Sequence, residues 1–358
     1  MKIVCDNKIP FLQGVFEPYA KVEYLPGGAI SAADIVGADA LVIRTRTRCD
    51  RNLLEHSSVR AIATATIGYD HIDSGFCARN HISWSNVPGC NSGSVQQYVL
   101  AALCRLSQMH GFSLSGKTLG IVGVGHVGSK VAAASALGMK TLLCDPPRAL
   151  KEGSSAFVSL EEIVRSSDII TLHVPLQQDT FHLLDPSLLS ANQFIINSSR
   201  GEVLDNQALR TCLEKSSIAG AVLDVWENEP EIDRELLQLC DIATPHIAGY
   251  SADGKAAGTA GAVRFIAKQL GIKDLEHFAP AALPQAGCSL ISTPAGIGQA
   301  ILQTYDIERD SQMLKSSPQS FERLRSDYPV RREMSAFSII GADAQTNDIA
   351  KELGFKIL

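Results

Sequence analysis

Three glycines, Gly123, Gly125 and Gly128, stand in G-x-G-x-x-G spacing within TLGIVGVGHVGSK, after a β-rich run and ahead of the helical pattern VAAASALG. In that setting Gly123 allows a tight turn, Gly125 lets the backbone approach a pyrophosphate, Gly128 permits close helix-sheet packing, and the helix N-terminus stabilises phosphate charge. Asp145 ends the next apolar run, where a carboxylate can accept the hydroxyls of an adenosine ribose, which favours NAD over NADP. Arg148 nearby weakens that choice, because a guanidinium could neutralise a 2′-phosphate.

Three further residues follow apolar runs: Arg200 in INSSRGEVLDN, Glu229 in LDVWENEP and His246 in ATPHIAGY. Singly they read as a surface charge, a solvated loop carboxylate and a satisfied histidine. Together they form the set needed for hydride transfer at a hydroxy acid. Arg200 can hold a carboxylate with two parallel hydrogen bonds, His246 can accept the hydroxyl proton, and Glu229 can orient the imidazole and favour its protonated form.

The elements needed to position these groups are readable in outline. Residues 2 to 84 alternate β-rich runs with helix-like stretches, which predicts parallel strands and crossovers. After VPGCN, Ser92 or Ser94 could cap a long, buried helix to about Met109. TLGIVGVG, KTLLCD, DIITLHVP, QFIINSS, IAGAVLDVW and DIATPH then predict a doubly wound sheet covered on both faces. A small-residue-rich helix from Ala252 to about Leu270 returns towards the first domain, and the proline-rich 278–287 reads as a linker. The remainder predicts an α+β piece with the runs SLIS, AFSIIGA and FKIL, too short for a strong core alone and expected to dock on something.

Composition narrows the classes. The 358 residues are 45% hydrophobic and 20% charged, with 32 Lys and Arg against 38 Asp and Glu, so there is no global positive field for nucleic acid or an anionic membrane. No apolar run approaches the ~20 residues of a membrane helix, and the start lacks a leader pattern, so a cytoplasmic chain is expected. The nine cysteines show no CxxC or paired metal spacing, there is no HExxH and no phosphate-binding G-x-x-x-x-G-K-[ST], and no metal is expected.

The NAD signature, arginine-glycine turn, LDVWxxEP and TPHIAG, present in order, resemble the D-isomer-specific 2-hydroxyacid dehydrogenase family. ATATIGYDHID, CDPPR, HIAGY and RREMS extend the resemblance through nearly the whole chain, towards a member that acts on a phosphorylated four-carbon acid. The resemblance implies a flavodoxin-like substrate domain (1–91 with 257–280), a Rossmann NAD domain (92–256) and a small C-terminal dimerisation domain (285–358). It implies oxidation at C2 with NAD taking the hydride, and catalytic roles for Arg200, Glu229 and His246. Substrate contacts fall on Thr45, Thr66 and Tyr250. Cofactor contacts fall on His126, Val127, Asp145, Val174, Ser198, Asp224 and Gly249, beside the three glycines. Thr45 replaces an expected serine, and Tyr69 a smaller residue. Arg46 and Arg48, or Arg331 and Arg332 in the last domain, could meet a substrate phosphate or be solvated charges. A phosphoglycerate dehydrogenase and an NAD-sensing corepressor on the same fold are the competing readings.

Overall fold

The computed structural model describes residues 1–284, 290–292 and 296–358. They form two compact units, 1–91 with 251–284 and 92–250 with 285–358.

In the first unit the strands β1 (Lys2–Asp6), β2 (Lys21–Leu25), β3 (Ala40–Ile43), β4 (Ala61–Thr64) and β5 (Ser83–Ser85) form a parallel sheet in the order β2-β1-β3-β4-β5. That is the flavodoxin-like order. The central strands ALVI and AIAT are wholly buried, as expected of a sheet covered on both faces. One face packs on the helix Ala252–Leu270, capped by Ser251 at its start and by left-handed Gly271 at its end. The crossover after β1 is a run of turns and that after β2 a 3₁₀ helix at Gly27–Ala29 followed by turns, where the alternation of residues 2 to 84 led one to expect helix-like stretches. Pro10, Gly14 and Pro18 in the first, and Pro26, Gly27 and Gly28 before the second, break helical propagation.

The second unit carries β6 (Thr118–Val122), β7 (Lys140–Cys144), β8 (Ile169–Leu172), β9 (Phe194–Asn197), β10 (Gly220–Leu223) and β11 (Ile242–Ala243), all parallel in the order β11-β10-β9-β8-β6-β7. The order reverses between β6 and β8, the switch point at which open α/β sheets bind ligands. The outer strand of the six-stranded dinucleotide pattern is reduced to a hydrogen bond from Val158 N to Leu143 O beside β7. The helix Ser92–His110 is buried along most of its length, as a helix apolar all round must be. Ser92 and Ser94 lie inside this helix, and the Ser94 hydroxyl donates to the carbonyl of Ala248, 2.8 Å away.

The C-terminal segment docks on this same unit. Its strands β12 (Leu290–Ser292), β13 (Ser338–Ile340) and β14 (Lys356–Ile357) form a small parallel sheet, with helices Ile297–Thr304, Ile307–Ser316 and Phe321–Ser326 between the first two. Ala300, Ile301, Ile307, Met334, Phe337 and Ile339 share one core with Val99, Leu103 and Leu106 of the long helix. Each such aliphatic side chain contributes about 1.5–3 kcal/mol on burial. The helix Ile307–Ser316 also covers the sheet edge, where Ala243 N of β11 donates to Ser311 Oγ at 3.0 Å. The surface this segment needed is therefore supplied within its own chain.

Among the described residues no cysteine forms a disulfide, and most are buried. Burial raises the thiol of Cys104 to about 12 and that of Cys144 to about 11. Cys288 lies outside the described residues. No described helix is long and apolar enough to cross a membrane.

Candidate active site

Consecutive strands of the second sheet deliver the three expected catalytic residues to one edge. Arg200 follows β9, Glu229 follows β10 and His246 follows β11. Glu229 Oε2 lies 2.8 Å from His246 Nδ1, and its Oε1 accepts the Trp226 N–H at 3.0 Å. Burial pushes the Glu229 carboxyl up, but the hydrogen bond and charge of His246, the charge of Arg325 and the Trp226 amide outweigh it, so the group sits below the usual carboxylate range. A carboxylate held ionised on Nδ1 leaves Nε2 of the imidazole as the proton-accepting atom.

Local sequence explains how the edge is built. Gly201 follows Arg200 because a Cβ there would stand 2.0 Å from the carbonyl carbon and oxygen of Trp226. The turn after β9 and the loop after β10 thus lie in backbone contact. Trp226 is buried, its indole N–H donating to Thr244 O at 3.0 Å, and the Glu227 N–H donates to Asn206 Oδ1 at 3.1 Å. Glu227 also meets His182 Nε2 at 2.6 Å, with Asp205 3.6 Å from the other ring nitrogen. This trio was not foreseen, because its members are far apart in sequence and share no motif spacing. The His246 backbone is left-handed, with φ +56°.

The glycine loop has the form expected for a dinucleotide. Gly123 has φ +87°, and a Cβ on it would strike the His173 carbonyl 2.6 Å away and the Val174 side chain at 2.8 Å. Gly125, by contrast, opens on free space at the start of the helix His126–Val131. Ser198 Oγ is buried with no hydrogen-bond partner among the described residues. An open backbone approach, an orphaned hydroxyl and Asp145 fit NAD. His173, also missed in the sequence, is half-buried, and desolvation drives it down to about 3, which keeps it neutral beside this loop.

Asp145 accepts the Val124 N–H at 2.8 Å and the Arg148 N–H at 3.0 Å, tying the acidic strand end to the glycine loop. Arg148 is bound by both oxygens of Glu152, at 2.8 and 2.7 Å, and donates to Val124 O at 2.6 Å. Its charge is thus committed to Glu152, which removes the sequence argument for a 2′-phosphate. Asp224 is buried, and its oxygens accept from Thr244 Oγ1, Ile247 N and Ala248 N. Burial raises this carboxyl against the opposing effects of His246 and those donors.

In the first unit Thr45 lies exposed just beyond β3, and Thr66 lies two residues beyond the neighbouring β4. Thr66 Oγ1 is 2.7 Å from Thr64 Oγ1, which in turn is 3.2 Å from His71 Nε2. Burial lowers His71 to about 4. Tyr69 is exposed and its ring sits 5.1 Å from Trp84. Arg44, not singled out in the sequence, grips buried Asp6 with Nε at 2.9 Å and Nη2 at 3.2 Å. Arg48 is exposed and paired with Asp50. Tyr250, in the second unit, packs edge-on to Tyr328 at 6.1 Å. Arg331 is buried, contrary to its reading as a solvated charge, with Nη2 bound to Ser94 Oγ and the Ile247 and Ala248 carbonyls.

Comparison with known proteins agrees with this geometry. Residues 93–248 match the family described as D-isomer specific 2-hydroxyacid dehydrogenase, NAD binding domain, and residues 281–354 match a domain of unknown function. An erythronate-4-phosphate dehydrogenase of Bacteroides fragilis is 48% identical, covering 95% of this chain and 99% of its own length. The chain belongs to the erythronate-4-phosphate dehydrogenase family. A second relative of that name, from Porphyromonas gingivalis, is 42% identical over 99% of this chain and all of its own. The solved D-lactate dehydrogenase of Aquifex aeolicus, in complex with NAD and lactic acid, matches with TM-score 0.65 and 26% identity over 78% of this chain and 97% of that one. Membership in the family makes the chain an NAD-dependent dehydrogenase with a Rossmann NAD-binding domain.

Proposed function

We propose that this enzyme oxidises 4-phospho-D-erythronate at C2 to the 2-oxo acid, a step of pyridoxal 5′-phosphate biosynthesis, with Arg200, Glu229 and His246 in the catalytic roles. The observation that carries the reading is the 2.8 Å Glu229–His246 hydrogen bond at the sheet edge that also presents Arg200. Arg200 holds the substrate carboxylate. His246 takes the C2 hydroxyl proton on Nε2 as the C2–H electron pair departs, and Glu229 stabilises the imidazolium that results. Bound NAD supplies the hydride acceptor. Gly123, Gly125 and Gly128 would hold its pyrophosphate and Asp145 its ribose, with His126, Val127, Val174, Ser198, Asp224 and Gly249 as further cofactor contacts.

Thr45, Thr66 and Tyr250 contact the substrate, and the enzyme works as a cytoplasmic homodimer, as the resemblance implies. Free, mostly buried cysteines suit a reducing compartment. Replacing His246 with Asn should lower turnover by about 10²–10⁴-fold, the usual worth of a general base. Near-normal turnover would overturn the reading. Comparing turnover on 4-phosphoerythronate and 3-phosphoglycerate separates it from the phosphoglycerate alternative, and negligible turnover on both would favour an NAD-sensing protein.

A further inference from the structure

The two residues that follow His246, Ile247 and Ala248, are held at both their backbone donors and their backbone acceptors. Their N–H groups, from Ile247 and Ala248, donate to the Asp224 carboxylate at 2.8 and 2.9 Å, and His246 N donates to Asp224 O at 2.7 Å. Their carbonyls accept from Nη2 of Arg331 at 3.1 and 2.5 Å. The same nitrogen reaches Ser94 Oγ at 2.5 Å, and that hydroxyl donates to Ala248 O at 2.8 Å. Arg331 is only 6% exposed, and its guanidinium lies 4.3 Å from the centre of the Tyr305 ring. Tyr305 and Tyr328 both donate to Asp310 Oδ2, at 2.9 and 2.6 Å, which fixes the aromatic bed under the guanidinium.

We infer that Arg331, supplied by the C-terminal segment, is a positioning residue that fixes the left-handed His246 backbone, and hence its ring, through the carbonyls of Ile247 and Ala248. His246 has left-handed backbone geometry, which a residue with a Cβ keeps only where its surroundings over-determine it. Asp224 secures the backbone donors of Ile247 and Ala248 and Arg331 their acceptors, so the peptide group between these two residues is held at both ends. Neither alone restrains both ends of a peptide dipole. A planar guanidinium suits the task because it can stack on Tyr305 while donating in its own plane, which an ammonium cannot do. This assigns the family-specific C-terminal segment a part in turnover. The 281–354 match carries no described function, and Arg331 lies within it.

The inference rests on His246 being the proton acceptor. Its test uses the full-length enzyme with NAD and 4-phosphoerythronate, comparing Arg331→Met, Arg331→Lys and Ser94→Ala. Thr304→Val serves as control, since Thr304 Oγ1 joins the C-terminal segment to Gln97 at 3.0 Å without contacting 247–248. Displacing a reacting group by about 1 Å can cost ~10²-fold, so Arg331→Met should lose turnover on that order with KM for the acid little changed. Arg331→Lys should recover part of it, and Ser94→Ala should lose several-fold. Thr304→Val should melt at a lower temperature yet keep its turnover.

Wild-type turnover in folded Arg331→Met would overturn the inference, as would a defect confined to KM for the phosphorylated acid. Equal turnover loss in Thr304→Val at equal melting temperature would reduce Arg331 to a structural residue and overturn it too. If Arg331→Met does not fold, Ser94→Ala decides, and unchanged turnover there counts against the inference. An active His246→Asn enzyme would instead overturn the reading beneath it.

Discussion

A carboxylate beside an imidazole both aims the ring and stabilises its charged form, and the two effects separate in a pH profile. Glu229 is held below the usual carboxylate range by its contacts with His246, Arg325 and Trp226, which outweigh its burial. Glu229→Gln keeps a hydrogen-bonding oxygen but removes the charge that favours imidazolium. His246 should then lose its proton at lower pH, moving the acid limb of the oxidation rate down while the maximum falls. An unmoved limb in a steady-state pH series would refute the pairing. Linkage gives the matching stability sign. A depressed carboxyl contributes stability above its unfolded pKa, and that contribution is lost as the pH falls through the folded value. At the glycine loop, Asp145→Ala should weaken NAD far more than NADP in a titration, since only NAD offers the 2′-hydroxyl. Equal loss for both would end that assignment. Arg200, Glu229 and His246 were legible because each follows an apolar run, and strand ends share an edge. Ser94 and Arg331 were misread because nothing in a serine near a helix start, or in an arginine pair, reports depth. A cap, and a charge that is solvated or meets a phosphate, were the ordinary readings, and the structure puts both side chains in the interior.

The element that governs the edge is the turn after β9. Gly201 lets it lie against the Trp226 carbonyl, so the β9 turn bearing Arg200 and the β10 loop bearing Glu229 move as one piece. Gly201→Ala would force them apart, with an overpacking cost of about 1–3 kcal/mol. Thermal melting should show that loss, and turnover should fall with it. A variant that melts and turns over like the wild type would mean that the two loops adjust independently. Strand runs were readable because parallel strands covered on both faces are near-continuously apolar, as in FIIN, GAVL and IITL. The crossovers after β1 and β2 were not, because short apolar spacing resembles a helix until prolines and glycines break it. Nor was the missing outer strand beside β7, where a single backbone hydrogen bond replaces a ladder.

At the scale of the whole chain, the C-terminal segment was expected to require another surface, and a second copy was the simplest candidate. Its apolar residues instead share a core with the helix Ser92–His110 and cover the β11 edge. The proposed homodimer therefore rests on family resemblance, not on an uncovered core. Sedimentation of the full-length enzyme at micromolar concentration should give a dimer, and a stable monomer would remove that part of the proposal. The unit boundaries have a further consequence for biogenesis. The stretches 1–91, 92–250, 251–284 and 285–358 belong alternately to one unit and the other. A chain emerging from the ribosome cannot finish its first unit before the second has begun, nor complete the second until its last residues are free. Domain-by-domain folding in order of synthesis is closed to it. A message cut short before the final 74 residues would yield a polypeptide in which the face of the long helix that meets Ala300, Ile301 and Met334 stays exposed to water.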